Sequence, residues 1–167
     1  GNDTLESNAQ FRQLIYRYYA AKRDGKPMLP IPFCNTCFTR GGVWLNECNE
    51  QNQISLINAY AKLGLEALLT DAGWYEGGYP AGSGNWTKVR KDAYPNGMGP
   101  VAMAAKNNNM IYGLWFEPEV VVAQTAVHKE HPEWCLASVK GPQGVYLLNY
   151  GLPEVQKWFF GIVKSFM

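Results

Sequence analysis

Short apolar runs alternate with amphipathic, helix-like segments along this chain, and that alternation constrains the fold more than any other feature. Residues 8–23 carry Phe11, Leu14, Ile15, Tyr18 and Tyr19 at helical spacing, which predicts an amphipathic helix stopped by Asp24-Gly25-Lys26-Pro27. Residues 28–38 contain Pro30 and Pro32, which a helix interior rejects, so Ile31, Phe33 and their neighbours predict a first strand. Residues 49–63 predict a helix. Residues 65–70, bounded by Gly64 and Asp71, predict a buried parallel strand. A Gly- and Pro-rich loop to about Pro95 follows, and a loop of that length inside a domain is usually functional. Then come a helix over 96–109, a third strand over 110–116, a mixed stretch with a helix over 120–129, and a short extended run at 145–149. A last helix covers 152–166, with Pro153 in its first turn.

The order is a helix followed by β-α-β-α-β-α, so the fold class expected is α/β with a parallel sheet and right-handed crossovers. The long loops follow strand C-terminal ends. That is the asymmetry of a barrel with its chemistry on one face. With 167 residues the chain can bury a core, yet it is short of the roughly 250 of a full eight-stranded α/β barrel.

The third strand ends in Trp115-Phe116-Glu117-Pro118-Glu119. Two carboxylates at i and i+2 of a strand share a face, which predicts Glu117 and Glu119 leaving the core together beside Trp115. A capping role for Glu119 and an ion-pair role for Glu117 are the plainer alternative. Asp71 stands at the end of the second strand and Glu47 lies in the first loop, which also carries Trp44. Carboxylates beside exposed rings are the ingredients of glycoside hydrolysis, and they can equally do no more than hydrogen-bond sugar hydroxyls. Aromatic residues make up 14% of the chain, with six Trp and ten Tyr, enough to supply both a ring-rich core and a sugar platform.

Other chemistries are disfavoured. The net charge is +1 with no basic run, so neither nucleic acid nor an anionic membrane surface is an expected partner. No apolar run approaches the ~20 residues of a membrane span. Cys34 and Cys37 have CxxC spacing without a second pair, and on a strand they would face opposite sides. His128 and His131 flank Glu130 near a helix end and predict surface or capping roles. No metal and no cofactor are expected. The polar start, Gly1-Asn2-Asp3-Thr4-Leu5-Glu6, is no signal peptide and suggests a processed or trimmed beginning, so a cytoplasmic location is expected over a secreted one.

Taken together, Asp71-Ala72-Gly73-Trp74-Tyr75, Tyr112-Gly113-Leu114-Trp115-Phe116-Glu117-Pro118-Glu119 and His131-Pro132-Glu133-Trp134 resemble consecutive motifs of the melibiase-type alpha-galactosidases, glycoside hydrolase family 36. The stretches 90–98 and 146–155 resemble those leading into that family's second and third barrel helices. The first helix resembles its linker from an N-terminal β-domain.

The resemblance implies a partial (β/α)8 barrel: a linker helix over 1–26, then three βα units over 27–167. It implies retaining hydrolysis of terminal α-galactosides, with melibiose and raffinose-type sugars as the ligand class. It implies sugar-binding roles for Asp71, Trp74, Trp115, Glu117, Glu119 and Asn35. No catalytic residue is expected within the chain. The family nucleophile is an Asp in a Lys-Trp-Asp motif on the fourth strand, which this chain does not reach, and the acid/base Asp lies further on.

Two other departures touch the pocket itself. Many members carry two adjacent Asp where this chain has Asp71-Ala72, and Asn-Thr-Trp where it has Asn35-Thr36-Cys37. The expected function is thus a fragment holding part of a sugar pocket, inactive alone. The alternatives are an enzyme that recruits Asp71, Glu117 or Glu119, and a non-catalytic carbohydrate-binding or assembly module. Three parallel strands with open edges also predict a homo-oligomer.

Overall fold

The computed structural model describes residues 3–28, 30–41, 45–137 and 144–167. It divides into two units, Gly1–Ile31 and Pro32–Met167. In the first unit, helix α1 (Thr4–Leu14) runs on into a π-helical turn over Ile15–Tyr19. It begins four residues earlier than the apolar spacing predicts, because the Asp3 carboxylate accepts the Leu5 N–H at 2.9 Å and caps it. It also ends earlier. Strands β1 (Lys22–Arg23) and β2 (Lys26–Pro27) pair antiparallel across Asp24-Gly25, both at positive φ, which is the backbone of a two-residue hairpin turn.

In the second unit, strand β3 is only Phe33–Asn35, shorter than the extended stretch predicted over 28–38. Prolines 30 and 32 have no N–H to give a ladder. At the other end the Asn35 side chain accepts the Cys37 N–H at 2.7 Å, which turns the chain into a 3-10 helix over Thr36–Gly41. Cys34 therefore lies in a strand and Cys37 in a helical turn. Helix α2 (Glu50–Ala61) opens on a reciprocal capping box between Asn49 and Asn52 and buries Gln53 and Ile57.

Strand β4 (Ala67–Thr70) pairs parallel with β3. Helix α3 (Gly99–Asn107) follows the long irregular segment, and strand β5 (Ile111–Leu114) pairs parallel with β4 on its other side. The result is an α/β fold on a small parallel sheet of order β3-β4-β5.

The mixed stretch after β5 differs from expectation. Val120–Val122 is a strand, β6, where the spacing predicts a helix, and helix α4 is confined to Ala126–Glu130. Three consecutive β-branched residues suit a pleated half-buried surface, and Gln124 at φ 71 breaks any continuation into the helix. Strand β7 (Cys135–Ala137), absent from the predicted elements, and β6 flank strand β8 (Val145–Leu148) antiparallel, in the order β6-β8-β7. Helix α5 (Pro153–Ser165) closes the chain.

One core cluster gathers Ile57, Leu68, Trp74, Tyr75, Trp86 and Tyr94, and a second gathers Val121, Val127, Trp134, Leu148 and Val155. Trp158 of α5 packs against both and so joins the two sheets. Trp74 and Trp86 are wholly buried, so part of the aromatic excess is core. Trp44 lies outside the described residues.

Candidate sugar site at the strand ends

The C-terminal ends of β3, β4 and β5 sit side by side, and each delivers one candidate residue. Asn35 ends β3. Its amide N–H donates to the Asp71 carboxylate at 2.7 Å, just beyond β4. The other Asp71 oxygen accepts the Ala72 N–H at 2.7 Å, and the Asp71 N–H donates to Thr36 Oγ1 at 2.9 Å. The Asn35 oxygen is already taken by Cys37 N–H, which fixes which end of the amide faces Asp71. A carboxylate offers about four lone-pair sites, so two remain for hydroxyl groups of a ligand.

The strand end beneath Asp71 is stiffened by a buried polar network. Thr70 Oγ1 donates to Gln53 Oε1 at 2.6 Å, and Gln53 Nε2 donates to Tyr94 Oη at 2.6 Å. Because the Thr70 proton is used, Tyr112 Oη is the donor in its 2.8 Å contact with Thr70. Burial pushes the Tyr94 and Tyr112 phenols well above their ordinary range, so both stay neutral.

Trp115 follows β5, and its N–H extends the ladder to the Thr70 carbonyl at 2.8 Å. Its ring is half-buried and stands edge-on to Tyr79 and Trp86. Trp74 holds a different place from the ligand-contacting one expected of it. It is wholly buried, ringed by Tyr75, Trp86, Phe116 and Phe166, and its indole N–H donates to the Trp115 carbonyl at 2.9 Å. A ring with no exposed face cannot stack on a sugar; Trp74 instead fixes the backbone that presents Trp115.

Glu117 and Glu119 lie beyond the last strand residue, Leu114, so the shared strand face predicted for them does not exist. Glu117 is half-buried and Glu119 exposed. Burial pushes the Glu117 carboxyl up, and the neighbouring Glu119 charge pushes it further. The chain here is tied to the second sheet: Tyr150 Oη donates to the Pro118 carbonyl at 3.0 Å, and Leu148 N–H to the Glu119 carbonyl at 2.8 Å. Burial and then the Glu119 charge raise the Tyr150 phenol to about 12. Glu47 is exposed, with its carbonyl bonded to the Asn52 amide.

His131 pairs with Glu133 at 3.0 Å and stacks flat on Trp134, whereas His128 packs on Tyr146. Among the described residues no group of three or more His, Cys, Asp or Glu stands close enough to hold a metal ion, and no helix is long and apolar enough to cross a membrane. The arrangement thus combines a fixed carboxylate, a half-exposed indole and a second, partly desolvated carboxylate. It can accept hydrogen bonds from hydroxyls while covering a flat apolar face, which is how proteins hold sugars.

A model of the family described as melibiase matches residues 39–167. The chain belongs to the melibiase family. Alpha-galactosidase C from Emericella nidulans is 30% identical to this melibiase-family chain, over 94% of the chain and 22% of that protein. Solved structures of glycoside hydrolase family 36 alpha-galactosidase AgaA from Geobacillus stearothermophilus share the fold. One, a variant in complex with stachyose, superposes with a TM-score of 0.81 at 22% identity, covering 100% of this chain and 23% of that one. Another, in complex with raffinose, has a TM-score of 0.72 at 24% identity, over 92% and 21%. The chain spans about a fifth of the length of the curated relatives it matches.

Of the residues that brace these strand ends in the melibiase-family chain, Gln53 and Asn46 lie in no family-like motif, whereas Arg90 and Tyr94 fall in the 90–98 stretch. Gln53 reaches Thr70 from α2, and Tyr94, in the irregular segment before α3, holds Gln53 in turn. Asn46 and Arg90 brace the loop carrying Tyr79. The signals for this brace were the 90–98 stretch and the length and glycine content of the segment after Asp71.

Proposed function

We propose that this stretch forms the first three βα units of a (β/α)8 barrel, with residues 1–26 as a linker helix, and supplies part of the sugar pocket of a retaining alpha-galactosidase. Asn35, Asp71, Trp115, Glu117 and Glu119 line the pocket, and Trp74 supports it from behind. The ligand is a terminal α-galactoside. The 167-residue polypeptide binds such a sugar weakly and does not turn it over, because residues 1–167 contain no Lys-Trp-Asp motif.

The observation that carries this is the Asn35–Asp71 bond across two adjacent strand ends, with Trp115 on the third. Family membership and the alpha-galactosidase relatives support it. A chromogenic α-galactoside assay and a calorimetric titration with raffinose on the same preparation test it. Millimolar binding without turnover, weakened by Asp71→Asn, is the expected result. Turnover that Glu117→Gln abolishes overturns the non-catalytic assignment, and absence of binding overturns the sugar site.

The polypeptide also self-associates through its sheet edges. Phe33 on β3 is 57% exposed and Ile111 on β5 is 53% exposed, and open edges with apolar side chains pair with other chains. Light scattering on the 167-residue chain reads the mass directly, and a monomer at micromolar concentration contradicts self-association.

A further inference from the structure

We infer that Tyr79 is a second sugar-contacting ring beside Trp115, and that Asn46 is the residue that positions it. The inference rests on the sugar-binding assignment above. The Tyr79 and Trp115 rings meet at 83° with centroids 6.4 Å apart, which makes a right-angled aromatic corner. Tyr79 is 37% exposed and Trp115 half-buried, so both rings keep surface that solvent reaches. A pyranose can lay its C–H face on one wall while its edge meets the other.

An aromatic ring in an irregular loop is useful to a ligand only if its backbone is held, since ordering the loop on binding costs free energy. Tyr79 is held in an unusual way. The Asn46 Oδ1 accepts the Tyr79 N–H at 2.7 Å and the Asn46 Nδ2 donates to the Tyr79 carbonyl at 2.6 Å, so one amide serves both backbone groups of one residue, as a neighbouring strand would. Asn46 is itself fixed, because the Arg90 guanidinium donates to the carbonyls of Asn46 and Cys48. Arg90 is anchored in turn by its own N–H to the carbonyl of buried Trp74 at 2.8 Å.

Two glycines make room for this amide. A Cβ on Gly78, at φ +64, would stand 2.5 Å from Asn46 Oδ1, and one on Gly73, at φ +92, would stand 2.9 Å from the same atom. Asn46 and Tyr79 are both exposed, so the arrangement adds little buried apolar surface. What it fixes is the place of the Tyr79 ring against Trp115.

The test is an NMR-monitored titration of the 167-residue chain with raffinose, for wild type, Trp115→Ala, Tyr79→Phe, Tyr79→Ala, Asn46→Ala and the double variant Asn46→Ala/Tyr79→Ala. Tyr79→Ala weakens affinity about three- to tenfold, the range of one aromatic contact, and Tyr79→Phe, which keeps the ring, restores most of that loss. Asn46→Ala gives a similar loss alone and none in the Tyr79→Ala background. A merely structural Asn46 would weaken binding equally in both backgrounds, and that outcome overturns its positioning role. If Asn46→Ala unfolds, Asn46→Asp replaces it, since the carboxylate keeps the acceptor for Tyr79 N–H and loses the donor to its carbonyl. Wild-type affinity in Tyr79→Ala, alongside a loss in Trp115→Ala, overturns the ring contact while leaving the sugar site intact. No binding by wild type, or none lost in Trp115→Ala, overturns the sugar site and this inference with it.

Discussion

Asn35 and Asp71 meet at 2.7 Å, amide N–H to carboxylate oxygen, across the ends of two adjacent parallel strands. The amide cannot turn over without losing its second bond, to Cys37 N–H. Asp71 is thereby held in one orientation before any ligand arrives. Asn35→Ala removes the charge-assisted donor and is expected to lower stability by about 1–2 kcal/mol and to weaken α-galactoside binding. Asn35→Asp places a second carboxylate against the first. Its loss is larger at pH 7 and partly recovered near pH 4, where one of the pair takes a proton. Urea titrations at the two pH values, paired with sugar titrations, read both effects.

The network under Asp71 is buried and leaves little slack. Gln53 is wholly buried and bonds Thr70 and Tyr94 at once, so Gln53→Leu leaves Tyr94 Oη without its donor and takes one of two partners from Thr70, which keeps Tyr112. The expected cost is about 1–3 kcal/mol, the desolvation penalty of one group left unpaired. Ser55→Ala on the same helix removes an exposed bond to the Gln51 carbonyl and should leave the midpoint nearly unchanged. Denaturant midpoints for the two variants give the comparison.

Some of this was legible in the sequence because a local pattern implied it. Residues 65–70 between Gly64 and Asp71 could be little other than a buried strand, and Pro153 marked the first turn of α5. The motif residues Asp71, Trp115 and Glu117 pointed to the strand ends. What the sequence hid depends on partners far along the chain. Asn35 looks like a strand residue, but its side chain stops the strand by capturing Cys37 N–H. Val120–Val122 sits at helical spacing from its neighbours, yet it finds β8 as a partner more than twenty residues later. Trp74 adjoins Asp71 in the motif, yet the turn at Gly73 sends its ring into the core. Asn46 and Tyr79 are 33 residues apart and share no motif.

Trp74 and Trp115 should separate cleanly under mutation. Trp74→Phe keeps most of the buried ring and loses the N–H bond to Trp115, which predicts a destabilisation of about 1–2 kcal/mol. Trp74→Ala opens a cavity among Tyr75, Trp86 and Phe116 and costs about 3–5 kcal/mol. Trp115→Ala shows the reverse pattern, a smaller change in unfolding midpoint and a larger loss of sugar binding. Equal stability losses at the two positions would contradict the division between support and contact.

The Glu117 carboxyl sets a pH dependence with a definite sign. Burial, and then the charge of Glu119, raises its folded-state pKa above the ordinary 4.5. In the window that opens near 4.5 and extends upward, the folded chain therefore binds more protons at this site than the unfolded chain. Stability falls as pH rises through such a window. Below the window both states are protonated and the effect is absent. Above it the destabilisation is complete, because the folded chain must hold a partly desolvated charge beside a like charge. Glu117→Gln removes the titration, so the variant should match wild type near pH 4 and exceed it at pH 7. Glu119→Gln removes only the second cause. In that variant the Glu117 carboxyl titration, followed by NMR, should move down toward 4.5 without reaching it, because burial remains. A Glu117 titration that Glu119→Gln leaves unmoved would show that the two carboxylates do not sense each other across Pro118.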